Sequence, residues 1–186
     1  DIGDLSQEMD DIVVILMQLE TPLETVEYLA SLGKTKSAIV ILNPAPACAL
    51  PGTLLRNLTV ITPNENEAEL LTGISINDIE TAYRAAKALK EKGPDAVIIT
   101  LGSNGAILYT DTEKAHIQAP KAVVVDTTAA GDTFNGALAV SLAEGKALYE
   151  AIEFANAAAA LSVQHAGAQQ SIPYRNDIEN FLKPNG

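Results

Sequence analysis

With 186 residues, 47% of them apolar, the chain is long enough to bury a real core, and one domain is expected on a prior of roughly 150 residues per domain. Twelve basic against twenty-four acidic residues leave a net charge of −12, which repels phosphate backbones and anionic bilayers and so argues against nucleic-acid and membrane-surface partners. No apolar run approaches the ~18 residues of a membrane span, and the acidic opening DIGDLSQEMDD does not read as a secretory signal, so a cytoplasmic location is expected.

The abrupt start at Asp1, with Asp11 followed at once by VVILMQL, suggests a fragment of a longer chain. Val13 to Leu19 is the first run of strand length. Thr21-Pro22-Leu23-Glu24 then supplies an N-cap, a first-turn proline and a capping-box glutamate, predicting a helix to about Leu32 that Gly33 ends. Ala38 to Leu42 and Leu58 to Thr62 are the next two strands, and Cys48 between them reads as a small buried hydrophobe. Ile79 to Lys92 has helical spacing, with Ala82, Tyr83, Ala86 and Leu89 on one face and Gly93-Pro94 as the stop. Ala96 to Thr100 is a fourth strand. After it, GSNG, AILYTD and KAHIQA read as a turn and an antiparallel hairpin at the sheet edge. Ala122 to Val125 reads as a further strand, and helices are expected over Thr133 to Ala143, Leu148 to Ser162 and Tyr174 to Leu182.

The apolar runs are continuous rather than alternating, which suits strands buried on both faces, and their alternation with helices implies right-handed parallel crossovers. The expected fold is α/β: three αβα layers around a mostly parallel, Rossmann-like sheet with an antiparallel edge hairpin. Ligands of such sheets bind beyond the carboxyl ends of the strands. The residues found there are Glu20, Asn43, Asn64, Glu67, Gly102-Ser103-Asn104-Gly105, Asp126 and Asp132, each of which a helix cap or a turn would also explain.

DTTAAGDTFNGALA is the most informative stretch. Small residues at Ala129, Ala130 and Gly131 let an anion approach the exposed N–H groups of a helix start, and Asp132 beside that anion suits a base acting on an attacking hydroxyl, although it would also stabilise the helix dipole. With only three arginines (Arg56, Arg84, Arg175), phosphate binding has to lean on backbone N–H groups and a bound cation. The Gly131-x4-Gly136 spacing fails as a Walker A loop because Ala137 and Leu138 replace Lys and Ser/Thr, and no GxGxxG fingerprint is present.

The same stretch resembles the C-terminal signature of the ribokinase-type (PfkB) carbohydrate kinases, D-T-x-G-A-G-D with a following Phe-x-Gly-Ala helix, in the A-A-G-D form. ITPNENEAELLTG, LNPAPA, TLGSNGA and ANAAAALSVQHAGAQQSIPYR are similar to further family segments, in the family's order, over nearly the whole chain. The resemblance implies ATP-dependent phosphorylation of a sugar, D-ribose at its 5-hydroxyl first among candidates, with other sugars or nucleosides next and a noncatalytic nucleotide-binding remnant as the alternative. It implies Asp132 as general base and the N–H groups of Ala130, Gly131 and Asp132 as an anion hole. Asn64 and Glu67 would position Mg²⁺ and phosphates through water. Thr100, Leu101, Gly102, Ser103, Asn104, Gly105 and Asn156 would contact ATP, and Glu20 the sugar. Asp126, the carbonyls of Thr128, Ser162, His165 and Gly167, and the Ser171 hydroxyl would form a K⁺ site. The family's N-terminal sugar-binding and lid portion is not in this sequence, so the single domain is expected to be the C-terminal ATP-binding part, weak or inactive alone, with an open apolar edge at Val13 to Leu19 that favours a homo-oligomer.

Overall fold

A computed structural model describes residues 10–183. The chain forms two compact units, one made of residues up to Leu101 together with Ile107–His116, the other of Gly102–Ala106 and the chain from Ile117 onward.

The first unit carries a six-stranded sheet in sequence order: β1 (Val14–Met17), β2 (Ile39–Leu42), β3 (Val60–Ile61), β4 (Ala96–Thr100), β5 (Ala106–Tyr109) and β6 (Lys114–Ile117). The first four run parallel, with Val14 opposite Ile39, Ile41 opposite Val60 and Val60 opposite Ala96. The connections into β5 and β6 are too short for a crossover, so these two strands run antiparallel. The expected mostly parallel sheet with an edge hairpin is what forms. Val40, Ile41 and Leu42 are fully buried whichever way they point, as are Val97, Ile98 and Ile99, which is why these strands are written as unbroken apolar runs. Helices α1 (Leu23–Thr35), α2 (Gly52–Leu55), α3 (Glu65–Thr72) and α4 (Ile79–Lys90) belong to this unit. Val26, Ala30, Leu54, Ala68, Leu71, Ala82, Ala86 and Leu89 pack from them onto Val40, Leu42, Ile61, Val97 and Ile99. Each fully buried Leu or Ile adds about 1.5 to 3 kcal/mol of transfer energy.

The second unit contains α5 (Ala130–Ala143), α6 (Leu148–Ser162) and α7 (Arg175–Leu182). Phe154, Ala157, Ala158 and Ile178 form its core with Ala137, Leu161 and Phe181. The alanines of α6 keep that helix slim enough for α5 and α7 to close on it.

Several sequence expectations need correction. Ala122 to Val125 is not a strand: Val123, Val124 and Val125 are 77%, 59% and 61% exposed, and the N–H groups of Val125 and Asp126 both donate to the Val163 carbonyl instead of to a sheet neighbour. Helix α1 starts at Leu23 behind Pro22, without a side-chain cap from Thr21, and runs through Gly33 to Thr35. Gly33 is a packing residue, since a Cβ there would stand 2.6 Å from Ile15 Cδ1 and 2.8 Å from Val40 Cγ2. Cys48 is exposed. Helix α5 begins at Ala130, three residues before the expected start. Helix α3 was hidden by its polar residues, which serve its cap as described below.

Candidate active site

The second unit builds its site on the turn from Asp126 into α5. Asp126 Oδ1 accepts the N–H (2.9 Å) and the hydroxyl (2.7 Å) of Thr128, while Oδ2 accepts the Gly167 N–H at 3.0 Å. The Gly167 N–H first, then the two Thr128 donors, hold the Asp126 carboxyl at a pKa of about 2, below its ordinary 3.8. Ala129 caps α5 in the left-handed region, at φ 60° and ψ 12°, a conformation that costs a residue with a Cβ energy. The Ala130 N–H, one of the expected anion donors, donates to the Thr127 carbonyl at 3.2 Å. A Cβ on Gly131 would meet no atom within 4 Å, so the side of the helix that this residue faces is open. The buried Asn135 side chain donates to the Gly131 carbonyl at 2.9 Å and stiffens that turn from one helical turn below.

Asp132 is exposed and lines a cavity of about 270 Å³ together with Thr133, Gly136, Val140, Phe154, Ile172 and Arg175. Its walls are mainly apolar. A carboxylate lining such a cavity, in the first turn of a 14-residue helix, can accept a proton while the helix end favours a neighbouring negative charge.

Of the residues expected around Asp126, Thr128 and Gly167 are bonded to it directly. Val163, next to Ser162, accepts from Val125 and Asp126, and the His165 N–H donates to the Ser162 carbonyl at 3.2 Å. Ser162 and Ser171 are buried, and their hydroxyls donate to the carbonyls of Ala159 (2.9 Å) and Ala168 (2.7 Å), leaving oxygen lone pairs on both. Among the described residues no group of three or more His, Cys, Asp or Glu side chains could hold a metal. A donor set of one carboxylate with carbonyl and hydroxyl oxygens would fit a hard, weakly charged cation.

In the first unit, Asn64 caps α3 through a capping box: its Oδ1 accepts the Glu67 N–H at 2.9 Å, and Glu67 Oε2 accepts the Asn64 N–H at 2.8 Å. Glu67 Oε1 accepts the Asn64 amide at 2.9 Å. Burial raises the Glu67 carboxyl above its ordinary 4.5, against the pull of the Asn64 N–H. Asn64 also bridges to Thr100, whose N–H donates to Pro63. Both Glu67 oxygens keep a second lone pair, which fits contact with a cation through water. Glu20 lies exposed in the turn after β1. Asn43, after β2, is structural: it accepts from Gln18 at 3.0 Å and donates to the Thr62 carbonyl at 3.1 Å.

The turn Gly102–Gly105 belongs to the second unit; Gly102, Ser103 and Asn104 are exposed, and Gly105 is buried at φ 85°. Asn156, buried on α6, donates to the Ile117 carbonyl at 3.0 Å.

Residues 6–175 match the sequence profile of the pfkB family carbohydrate kinases. The chain belongs to this family. It is 47% identical over 169 residues to a ribokinase of Haemophilus influenzae, covering 91% of this chain and 55% of that one. With a ribokinase of Staphylococcus aureus the identity is 41% over 165 residues, covering 88% and 54%. Among solved structures, Arabidopsis thaliana ribokinase complexed with ribose and ATP superposes with a TM-score of 0.92 at 35% identity, over 97% of this chain and 59% of that one. The chain thus spans about half the length of the curated relatives it matches.

As a pfkB-family site, it contains residues that sequence reasoning passed over. Asn135 was detectable, because it stands four positions after Gly131 and therefore over the same helical face. The cavity-lining Ile172 and Arg175 were not, because only the return of the chain after α6 brings them to α5.

Proposed function

We propose that the chain is the nucleotide-binding and catalytic portion of an ATP-dependent sugar kinase that converts D-ribose to D-ribose 5-phosphate. The observation that carries this is Asp132 in the first turn of α5, lining a cavity, with no atom within 4 Å of where a Cβ on the preceding Gly131 would stand. The named activities of the relatives support the substrate class. In the reaction, the Asp132 carboxylate takes the proton of the sugar hydroxyl as its oxygen bonds to the γ-phosphorus. The bond from that phosphorus to the β,γ-bridging oxygen breaks, and ADP leaves. First-turn N–H groups of α5, Gly131 foremost, receive the charge of the migrating phosphoryl.

Asn64 and Glu67 would hold Mg²⁺ through water, which supplies charge neutralisation on the phosphates. Asp126, the carbonyls of Thr128, Ser162, His165 and Gly167, and the Ser171 hydroxyl would hold K⁺ beside the anion turn. Thr100 to Gly105 would face ATP, and Glu20 the sugar. Among the described residues no helix is long and apolar enough to cross a membrane, and a cytoplasmic setting goes with ATP as co-substrate. A homo-oligomer belongs to the same reading. Among the described residues strand β1 is paired only to β2, and Leu16 within it and Val13 just before it are 39% and 55% exposed, an edge that favours pairing with another copy. Sedimentation should show association with rising concentration; a monomer throughout would remove that part.

The decisive experiment is transfer of labelled γ-phosphate from ATP to D-ribose with Mg²⁺ and K⁺. Asp132→Asn should lower the rate by about 10² to 10⁴-fold, the contribution of a positioned base, while ATP affinity is kept. Equal rates above background in the two proteins, or no ATP binding by either, would sink the reading; because this chain alone is expected to turn over weakly or not at all, ATP affinity is the readout that does not depend on its rate.

A further inference from the structure

Asparagine is a poor helix former and costly to bury, yet Asn135 stands inside α5 at 4% exposure. Its side-chain amide donates to the Gly131 carbonyl at 2.9 Å. Helix geometry makes that carbonyl the acceptor of the Asn135 backbone N–H as well, so one residue addresses both lone pairs of one oxygen. The Gly131 carbonyl and the Asp132 N–H belong to a single planar peptide and point in opposite directions. Whatever fixes the oxygen therefore fixes the N–H, and with it the direction from which the Asp132 side chain leaves the backbone.

We infer that Asn135 is a positioning residue for the first turn of α5: by holding the Gly131 carbonyl it aims the Asp132 N–H, one of the three expected anion donors, at the migrating phosphoryl. This rests on the reading of that turn as the seat of the phosphoryl. The turn needs holding, because its cap, Ala129, is kept in the left-handed region at φ 60°, a strain that a tilt of the first peptides would release. Asp126 braces it from the loop side through Thr128, and Asn135 braces it from within the helix. Two bonds on its oxygen also polarise the Gly131–Asp132 peptide and strengthen its N–H as a donor.

The test compares Asn135→Leu, which keeps the bulk and loses the donor, with Asn135→Ser, whose hydroxyl can reach the carbonyl four residues back. In the ligand-free chain, ¹⁵N relaxation of the Asp132 N–H is read against that of Leu138 in the middle of the same helix. The Asp132 order parameter should drop from about 0.85 toward about 0.6 in Asn135→Leu and recover in Asn135→Ser, with Leu138 unmoved. Affinity for ADP with Mg²⁺ should stay within about twofold in Asn135→Leu, while the gain in affinity on adding tetrafluoroaluminate, a stand-in for the migrating phosphoryl, should shrink about tenfold. An Asp132 N–H as rigid in Asn135→Leu as in the wild type overturns the inference. So does no recovery in Asn135→Ser, an unchanged tetrafluoroaluminate gain, or an equal loss of order at Leu138, which means general loosening of the helix. If Asn135→Leu does not fold, Asn135→Ala takes its place under the same criteria. A wild-type chain that binds no ADP, or gains nothing from tetrafluoroaluminate, counts against the kinase reading, and the relaxation comparison, which needs no nucleotide, then decides on Asn135.

Discussion

The Gly167 N–H donates to Asp126 Oδ2 at 3.0 Å, joining two residues 41 positions apart and tying the loop after α6 to the turn that opens α5. Together with the two Thr128 donors, this bond makes Asp126 the brace of the turn into α5.

That brace is sensitive to acid. The folded-state pKa of about 2 lies below the ordinary 3.8, so Asp126 contributes stability that is fully present above about pH 5 and is lost as pH falls toward 2. Asp126→Asn keeps the shape but cannot ionise. Urea unfolding at a series of pH values should show the wild type losing stability more steeply than this variant between pH 5 and pH 2. Parallel profiles would show that the three hydrogen bonds are not made in solution.

Ala129 occupies the left-handed region at φ 60°, where the more general family signature has glycine. The side chain costs about 1 to 2 kcal/mol there, and glycine returns about 0.4 to 1 kcal/mol through the unfolded chain. Ala129→Gly should therefore stabilise the protein by about 0.5 to 1 kcal/mol, read as a higher urea midpoint. A lower midpoint would mean that the turn relaxes out of this conformation.

Asn64 caps α3 and holds both oxygens of Glu67. Asn64→Ala should cost about 1 kcal/mol, whereas Asn64→Asp, which still caps, should cost less despite the facing Glu67. Equal losses in the two variants would show that capping is not what Asn64 supplies.

Gly33→Ala tests the packing of α1 on the sheet. Alanine gains about 1 kcal/mol of helix propensity, but its methyl would be pressed to 2.6 Å from Ile15 and 2.8 Å from the fully buried Val40. Overpacking of this kind costs about 1 to 3 kcal/mol, so a net loss of about 1 kcal/mol is expected in thermal or urea unfolding. A stabilised variant would show that the helix slides to accept the methyl.

The parallel strands, the edge hairpin, α4 with its Gly93-Pro94 stop, and the aspartate at the start of α5 were all legible in the residues, because burial on both faces, turn chemistry and helix period are local properties that the chain writes directly. Tertiary structure decided the rest. Val123 to Val125 has the composition of a strand, but a strand exists only where a neighbour accepts its N–H groups, and here Val163 takes them instead. Gly33 reads as a helix stop until Ile15 and Val40 are seen pressing on it. Asp126 meets Gly167, and Asn156 meets Ile117, only after α5 and α6 have folded back on each other. Sequence period fixes which way a side chain points along its own element; what it meets there depends on contacts between residues tens of positions apart.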